Sequence, residues 1–199
     1  PEEIVPLHNY PRLLATFRQY GDWLQRLEID SVGSLNDAIT DGRIREIILV
    51  SEALHDLNYA KIAGQIADHK GEIRVVLIAG PSSSGKTTSS RRLSIQLLAH
   101  GLQPFPLELD NYFVNRDENP LDEEGNLDFE HIDALNTERL NQDVKRLIAG
   151  EEVQLPKFNF HDGISMPGET VQLGPNQIII LEGIHGLNPA LLEEIPSPN

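Results

Sequence analysis

Three acidic or basic positions and one glycine-framed loop carry the chemistry this chain can do. Gly80-Pro81-Ser82-Ser83-Ser84-Gly85-Lys86-Thr87-Thr88 has the spacing G-x-x-x-x-G-K-T and follows the apolar run Ile73–Ala79. Glycines at both ends of such a loop let successive backbone N–H groups turn inward around an anion. A helix starting after it aims the positive end of its dipole at the same point. In this Walker A pattern Lys86 reaches the β- and γ-phosphates of a nucleotide and the Thr87 hydroxyl holds Mg²⁺. Asp110 closes a second apolar segment, and Glu182 ends the run Gln177–Leu181. A carboxylate at the end of a buried strand downstream of Walker A can hold a metal, directly or through water. A second one nearby can accept the proton of an attacking hydroxyl.

The elements that must position these groups follow from periodicity. From Glu72 onward, strand-like runs alternate with helical ones, which predicts an α/β domain with a parallel sheet. Strands are expected at 73–79, 104–109 and 177–182, with helices over 86–99 and 137–148. A β-hairpin is expected from 153 to 171, turning at His161-Asp162-Gly163. In open α/β sheets ligands bind beyond the carboxyl ends of the strands, where Asp110 and Glu182 fall. Residues 115–133 read as a long acidic loop, and a loop of that length is usually functional or mobile.

Residues 1–71 read differently, as a mainly helical appendage to a domain spanning 72–199. After an irregular lead-in to Pro11, Leu13, Leu14, Phe17, Tyr20, Trp23, Leu24 and Leu27 have helical spacing, with Gly33 as the breaker. Ser34 then suits an N-cap and Gly42 a stop. Ile44 through Ile66 predicts one or two amphipathic helices ending near Gly71. The aromatics at 17, 20 and 23 are expected in a core or interface. His8, His55 and His69 are too dispersed to suggest a metal site.

The 199 residues carry a formal net charge of −15 and no cysteine. The charge argues against binding nucleic acid over a broad surface. The missing cysteines exclude disulfides and thiolate zinc sites. No apolar run approaches the ~20 residues of a membrane span, so no membrane partner is expected.

Five segments in order resemble the uridine kinase and phosphoribulokinase superfamily. They are Ile78–Thr88, Asp110-Asn111-Tyr112-Phe113, Asp128–Leu135, Leu155-Pro156-Lys157-Phe158-Asn159-Phe160 and Leu181-Glu182-Gly183-Ile184. The resemblance implies an ATP- and Mg²⁺-dependent kinase of a nucleoside 5′-hydroxyl, uridine or cytidine by default, with homo-oligomer formation left open, and the ATP requirement makes a cytoplasmic location the expectation. It assigns Asp110 as base, with Lys86 and the rest of the loop on the phosphates, and Thr87 and Glu182 on Mg²⁺. Asp110, Tyr112, Phe113, Phe129, His131, Phe158 and Asn159 would meet the nucleoside. The family pattern continues past the hairpin motif with a histidine and an arginine where this chain has Gly163 and Ser165, and it has a tyrosine and an aspartate at Phe158 and Asn159. Those departures fall on acceptor recognition. They leave open a kinase of another small hydroxyl compound, such as a sugar phosphate, or a non-catalytic ATP-sensing module. The family also continues beyond residue 199 with a strand and an arginine-bearing lid, so the chain reads as C-terminally truncated and by itself a poor catalyst. Residues 41–69 are faintly similar to the second N-terminal domain of threonyl-tRNA synthetases, without its chemistry.

Overall fold

The computed structural model describes residues 11–192 and residue 195, so the expected lead-in lies almost wholly outside the described residues. The chain divides into two compact units, Pro1–Asp56 and Leu57–Asn199. The division falls inside a helix, not at the Lys70-Gly71 punctuation where composition changes.

The first unit holds α1 (Pro11–Arg26), α2 (Val32–Thr40) and the first half of α3 (Ile44–Asp68). The start of α2 differs from the sequence reading. Ser31, not Ser34, is the N-cap, and the two serines form a reciprocal capping box in which each Oγ accepts the other's backbone N–H, at 3.1 and 3.0 Å. Gly33 therefore lies inside the first turn of α2 and breaks nothing. Gly42, at φ +78°, does end the helix as expected. Beyond it α3 is one 25-residue helix. Phe17 and Tyr20 are exposed rather than core, at 65% and 55%. Tyr20 instead leans on Trp23 at 5.7 Å.

The second unit is built on a parallel sheet of order β1-β5-β2, from Val75–Ala79, Gln177–Gly183 and Gln103–Glu108. The β5 strand is central, and its continuous apolar sequence follows from burial on both faces. Alternation then sends its side chains two ways. Ile179 and Leu181 join Leu107, Leu109, Leu140, Val144 and Leu147, the last three from α5 (Thr137–Ile148). Ile178 and Ile180 join Leu93 and Leu97 of α4 (Lys86–Ala99), together with Ala63 and Ile66. Burying each such Leu or Ile contributes about 1.5–3 kcal/mol. The last three turns of α3 thus belong to the core of the second unit, which explains where the chain divides.

The antiparallel pair β3 (Glu152–Asn159) and β4 (Ile164–Gln172) forms a separate two-stranded sheet. Its base is fastened by Val153 and Leu155 in the α5 core. Among the described residues no helix is long and apolar enough to cross a membrane.

Candidate active site

Strand register brings the chemistry-bearing residues together. Ala79 pairs with Gly183 and Glu108 with Glu182, so β1, β5 and β2 end level with one another. The phosphate loop, Glu182 and Asp110 leave the sheet at that common edge.

The loop runs from Gly80 to the first turn of α4. Ser83 has φ +57° and Gly85 has φ +88°. Gly85 sits at the N-cap without any side-chain cap, leaving the dipole end of α4 open to an anion. Among the described residues, the backbone N–H groups of Ser82, Ser83 and Gly85 have no protein acceptor. A cradle of unpaired N–H donors is what a polyphosphate requires. Lys86 Nζ donates to the Pro81 carbonyl at 2.8 Å, which keeps the ammonium over the loop. A Cβ on Gly80 would lie 2.5 Å from Ser84 Oγ, so the loop closes on itself at that glycine.

Thr87 Oγ1 donates to Glu182 Oε1 at 2.9 Å. The other carboxylate oxygen, Oε2, is buried and has no hydrogen-bond partner. An orphaned buried carboxylate oxygen beside a threonine hydroxyl and a phosphate cradle fits an Mg²⁺ site made of hard oxygen donors.

Asp110 stands on a 3-10 turn, Leu109–Tyr112, that continues from β2. Leu109 and Tyr112 point down into the core at 2% and 1% exposure, which leaves Asp110 and Asn111 facing up. Loss of hydration raises the Asp110 pKa above the ordinary carboxylate value. The Lys86 charge pulls it back and the Glu182 charge adds to the rise. Both charges reach Asp110, so the three side chains share one electrostatic site.

Of the residues expected to meet an acceptor, some converge and others do not. Phe113 is the hub of an aromatic cluster. It meets Phe158 at 5.6 Å, Phe160 at 6.2 Å and Phe129 edge-on at 6.3 Å, while Phe158 and Phe160 meet at 5.1 Å. Phe129 and Phe160 remain 42% and 59% exposed, so the cluster has an open apolar side. Tyr112 does not join it. Its ring is in the core and its hydroxyl donates to Asp143 Oδ2 at 3.2 Å. Burial first, and then the Asp143 charge, push the tyrosine pKa far up, so the hydroxyl stays a donor. His131 is exposed and its Nδ1 accepts the Asp133 backbone N–H at 3.2 Å, a capping role in the loop. The Asn159 side chain is committed to the hairpin turn. Its Oδ1 accepts from His161 and Asp162 N–H, and its Nδ2 donates to the Asp162 carboxylate. Phe160 lay within a recognisable motif but was not expected at the site. The signal that would have found it is its place two residues after Phe158, just past the end of β3, within the same motif.

The model of the Phosphoribulokinase / Uridine kinase family matches residues 75–194, more than half of the chain. A uridine kinase of Ligilactobacillus salivarius is 29% identical over 130 residues, 65% of this chain and 60% of that protein. One of Halobacterium salinarum is 27% identical over 118 residues, 59% of this chain and 51% of the relative. The structure of a possible uridine kinase from Bacillus stearothermophilus superposes with a TM-score of 0.51 at 27% identity, covering 63% of this chain and 70% of that one. The chain therefore spans only about half to three fifths of the length of these curated relatives. The match spans the phosphate loop, the three parallel strands and both acidic positions, and this chain belongs to the phosphoribulokinase and uridine kinase family.

Proposed function

We propose that the chain is the nucleotide- and acceptor-binding part of a cytoplasmic kinase that transfers the γ-phosphoryl group of ATP to the 5′-hydroxyl of a nucleoside. The observation that carries the reading is the position of Asp110, whose carboxyl feels both Lys86 and Glu182 and stands three residues before the aromatic hub Phe113.

The loop N–H groups of Ser82, Ser83 and Gly85 would bind the phosphate oxygens, and Lys86 would swing from the Pro81 carbonyl to the β- and γ-phosphates. Thr87 and Glu182 would hold Mg²⁺, which when bound neutralises charge on those phosphates. Asp110 would accept the hydroxyl proton as the acceptor oxygen forms its bond to the γ-phosphorus. The bond to the bridging oxygen breaks, and ADP carries the electron pair away. The raised pKa makes the carboxylate a better base for the hydroxyl proton. The Phe113, Phe129, Phe158 and Phe160 cluster suits a flat base more than a phosphorylated sugar, because the rings offer apolar faces and no charge.

The test is transfer from ATP to uridine, cytidine and a sugar phosphate by the full-length protein, with Asp110→Asn alongside. Transfer to a pyrimidine nucleoside that the variant loses supports the reading. Transfer only to the sugar phosphate would replace the acceptor. Tight ATP binding with no transfer would overturn catalysis in favour of a sensing module.

A further inference from the structure

The hairpin carries half of the aromatic cluster but pairs with no strand of the main sheet. Its base is held by the core and by two arginines of α5, with Arg139 Nη2 donating to the Gln154 carbonyl at 3.2 Å and Arg146 Nη2 to the Glu152 carbonyl at 2.9 Å. Its tip, where Phe158 and Phe160 lie, is held differently. Asn111 Oδ1 accepts the Phe158 N–H at 3.3 Å, and Asn115 Oδ1 accepts the Ser165 N–H at 3.0 Å. Arg116 donates twice, from its backbone N–H to the Gly163 carbonyl at 2.8 Å and from Nη2 to the Phe160 carbonyl at 2.9 Å. One bond thus reaches each strand and two reach the turn, all from a six-residue stretch that begins next to Asp110.

The fit at Arg116 is close. Gly163 has φ +71°, and a Cβ there would lie 2.7–2.9 Å from Arg116 atoms. The turn therefore needs glycine for its backbone angle and for the space the arginine fills.

We propose that Asn111, Asn115 and Arg116 are a clamp that sets the distance between the acceptor-facing rings of the hairpin tip and the carboxyl of Asp110. They are positioning residues for the acceptor, an assignment that rests on the kinase reading above. Among the described residues no hydrogen bond joins the clamp to the phosphate loop or Glu182, so its effect should fall on acceptor binding and leave ATP binding alone.

The experiment compares Asn115→Ala, Arg116→Ala and Arg116→Lys in the full-length protein. It measures kcat, KM for uridine or cytidine and KM for ATP separately, and follows hydrogen exchange of backbone amides at 158–165. Each alanine variant should raise the nucleoside KM about threefold to tenfold, the range of one lost hydrogen bond. ATP KM should stay constant, the amides at the tip should exchange faster, and those of β5 should not. Arg116→Lys, which can still donate to the Phe160 carbonyl, should restore most of the nucleoside affinity. Unchanged nucleoside KM in both alanine variants, or an equal rise in ATP KM, would overturn the clamp. If the unaltered protein phosphorylates no acceptor, the kinase reading fails instead. Hydrogen exchange then decides the clamp alone, and unchanged exchange at 158–165 overturns it.

Discussion

Asp110 concentrates the electrostatics of the site. Its folded-state pKa lies above the unfolded one, chiefly through loss of hydration. The folded chain therefore holds this proton more tightly than the unfolded chain does. The group's contribution to stability is full below the ordinary carboxylate range and is lost as pH rises through the folded pKa. Asp110→Asn should consequently raise the thermal midpoint at neutral pH relative to pH 4, while lowering kcat about 10²–10⁴-fold with ATP affinity retained. Scanning calorimetry at the two pH values, beside steady-state kinetics, checks both halves. Glu182 is the complementary case. One oxygen is held by Thr87 and the other is buried without a partner. Glu182→Gln should weaken Mg²⁺-dependent ATP binding on the order of tenfold or more, read by calorimetric titration with and without the metal.

At the scale of elements, the 3-10 turn after β2 behaves as a small platform. Tyr112 anchors it from below, with Asp143 accepting the hydroxyl and Arg139 Nε lying 3.6 Å from the same carboxylate oxygen. Burial raises the Asp143 pKa and Arg139 lowers it, so this carboxyl depends on its partners. Tyr112→Phe removes a donor from a buried carboxyl and should cost about 1–3 kcal/mol, measured by urea denaturation. From the sheet side, a Cβ on Gly183 would lie 2.5 Å from Leu109 Cδ1. Gly183→Ala should push the platform and Asp110 with it. The expected signature is a lower kcat with a nearly unchanged ATP KM, and a kcat equal to that of the unaltered chain would show that the platform yields without moving the base.

For the molecule as a whole, the informative feature is where the second unit begins. Tyr59, Ala63, Ile66 and Ala67 pack against the core that includes Leu93, Leu97, Ile178 and Ile180. Ile66→Ala should destabilise this unit by about 2–5 kcal/mol. A chain begun at residue 72, where composition changes, should be less stable and less soluble than one begun at Ile44, because it bares that apolar face. Equal denaturation midpoints for the two would mean the α3 contacts contribute nothing.

Local pattern made much of this protein legible. The loop Gly80–Thr88 was readable because it needs glycine at two set positions, Gly85 for its φ of +88° and Gly80 for the close approach of Ser84. The α4 limits were readable because caps and punctuation are local, and the burial of β5 because an unbroken apolar run has few other uses. Phe113, Phe129 and Phe158, from three separate segments, do meet in one aromatic cluster. The fate of Tyr112, His131 and Asn159 was not, since a polar group in a turn can serve a ligand or its neighbours equally well, and only the partners within reach decide. The cap of α2 was misplaced for the same reason, with two serines three apart both able to hold it. The boundary inside α3 depended on which face of the helix found a core to enter. Sequence alone determined the chemistry available and the strands that carry it. Tertiary structure decided which side chains were free to use it, because burial and hydrogen-bond partners come from segments distant along the chain.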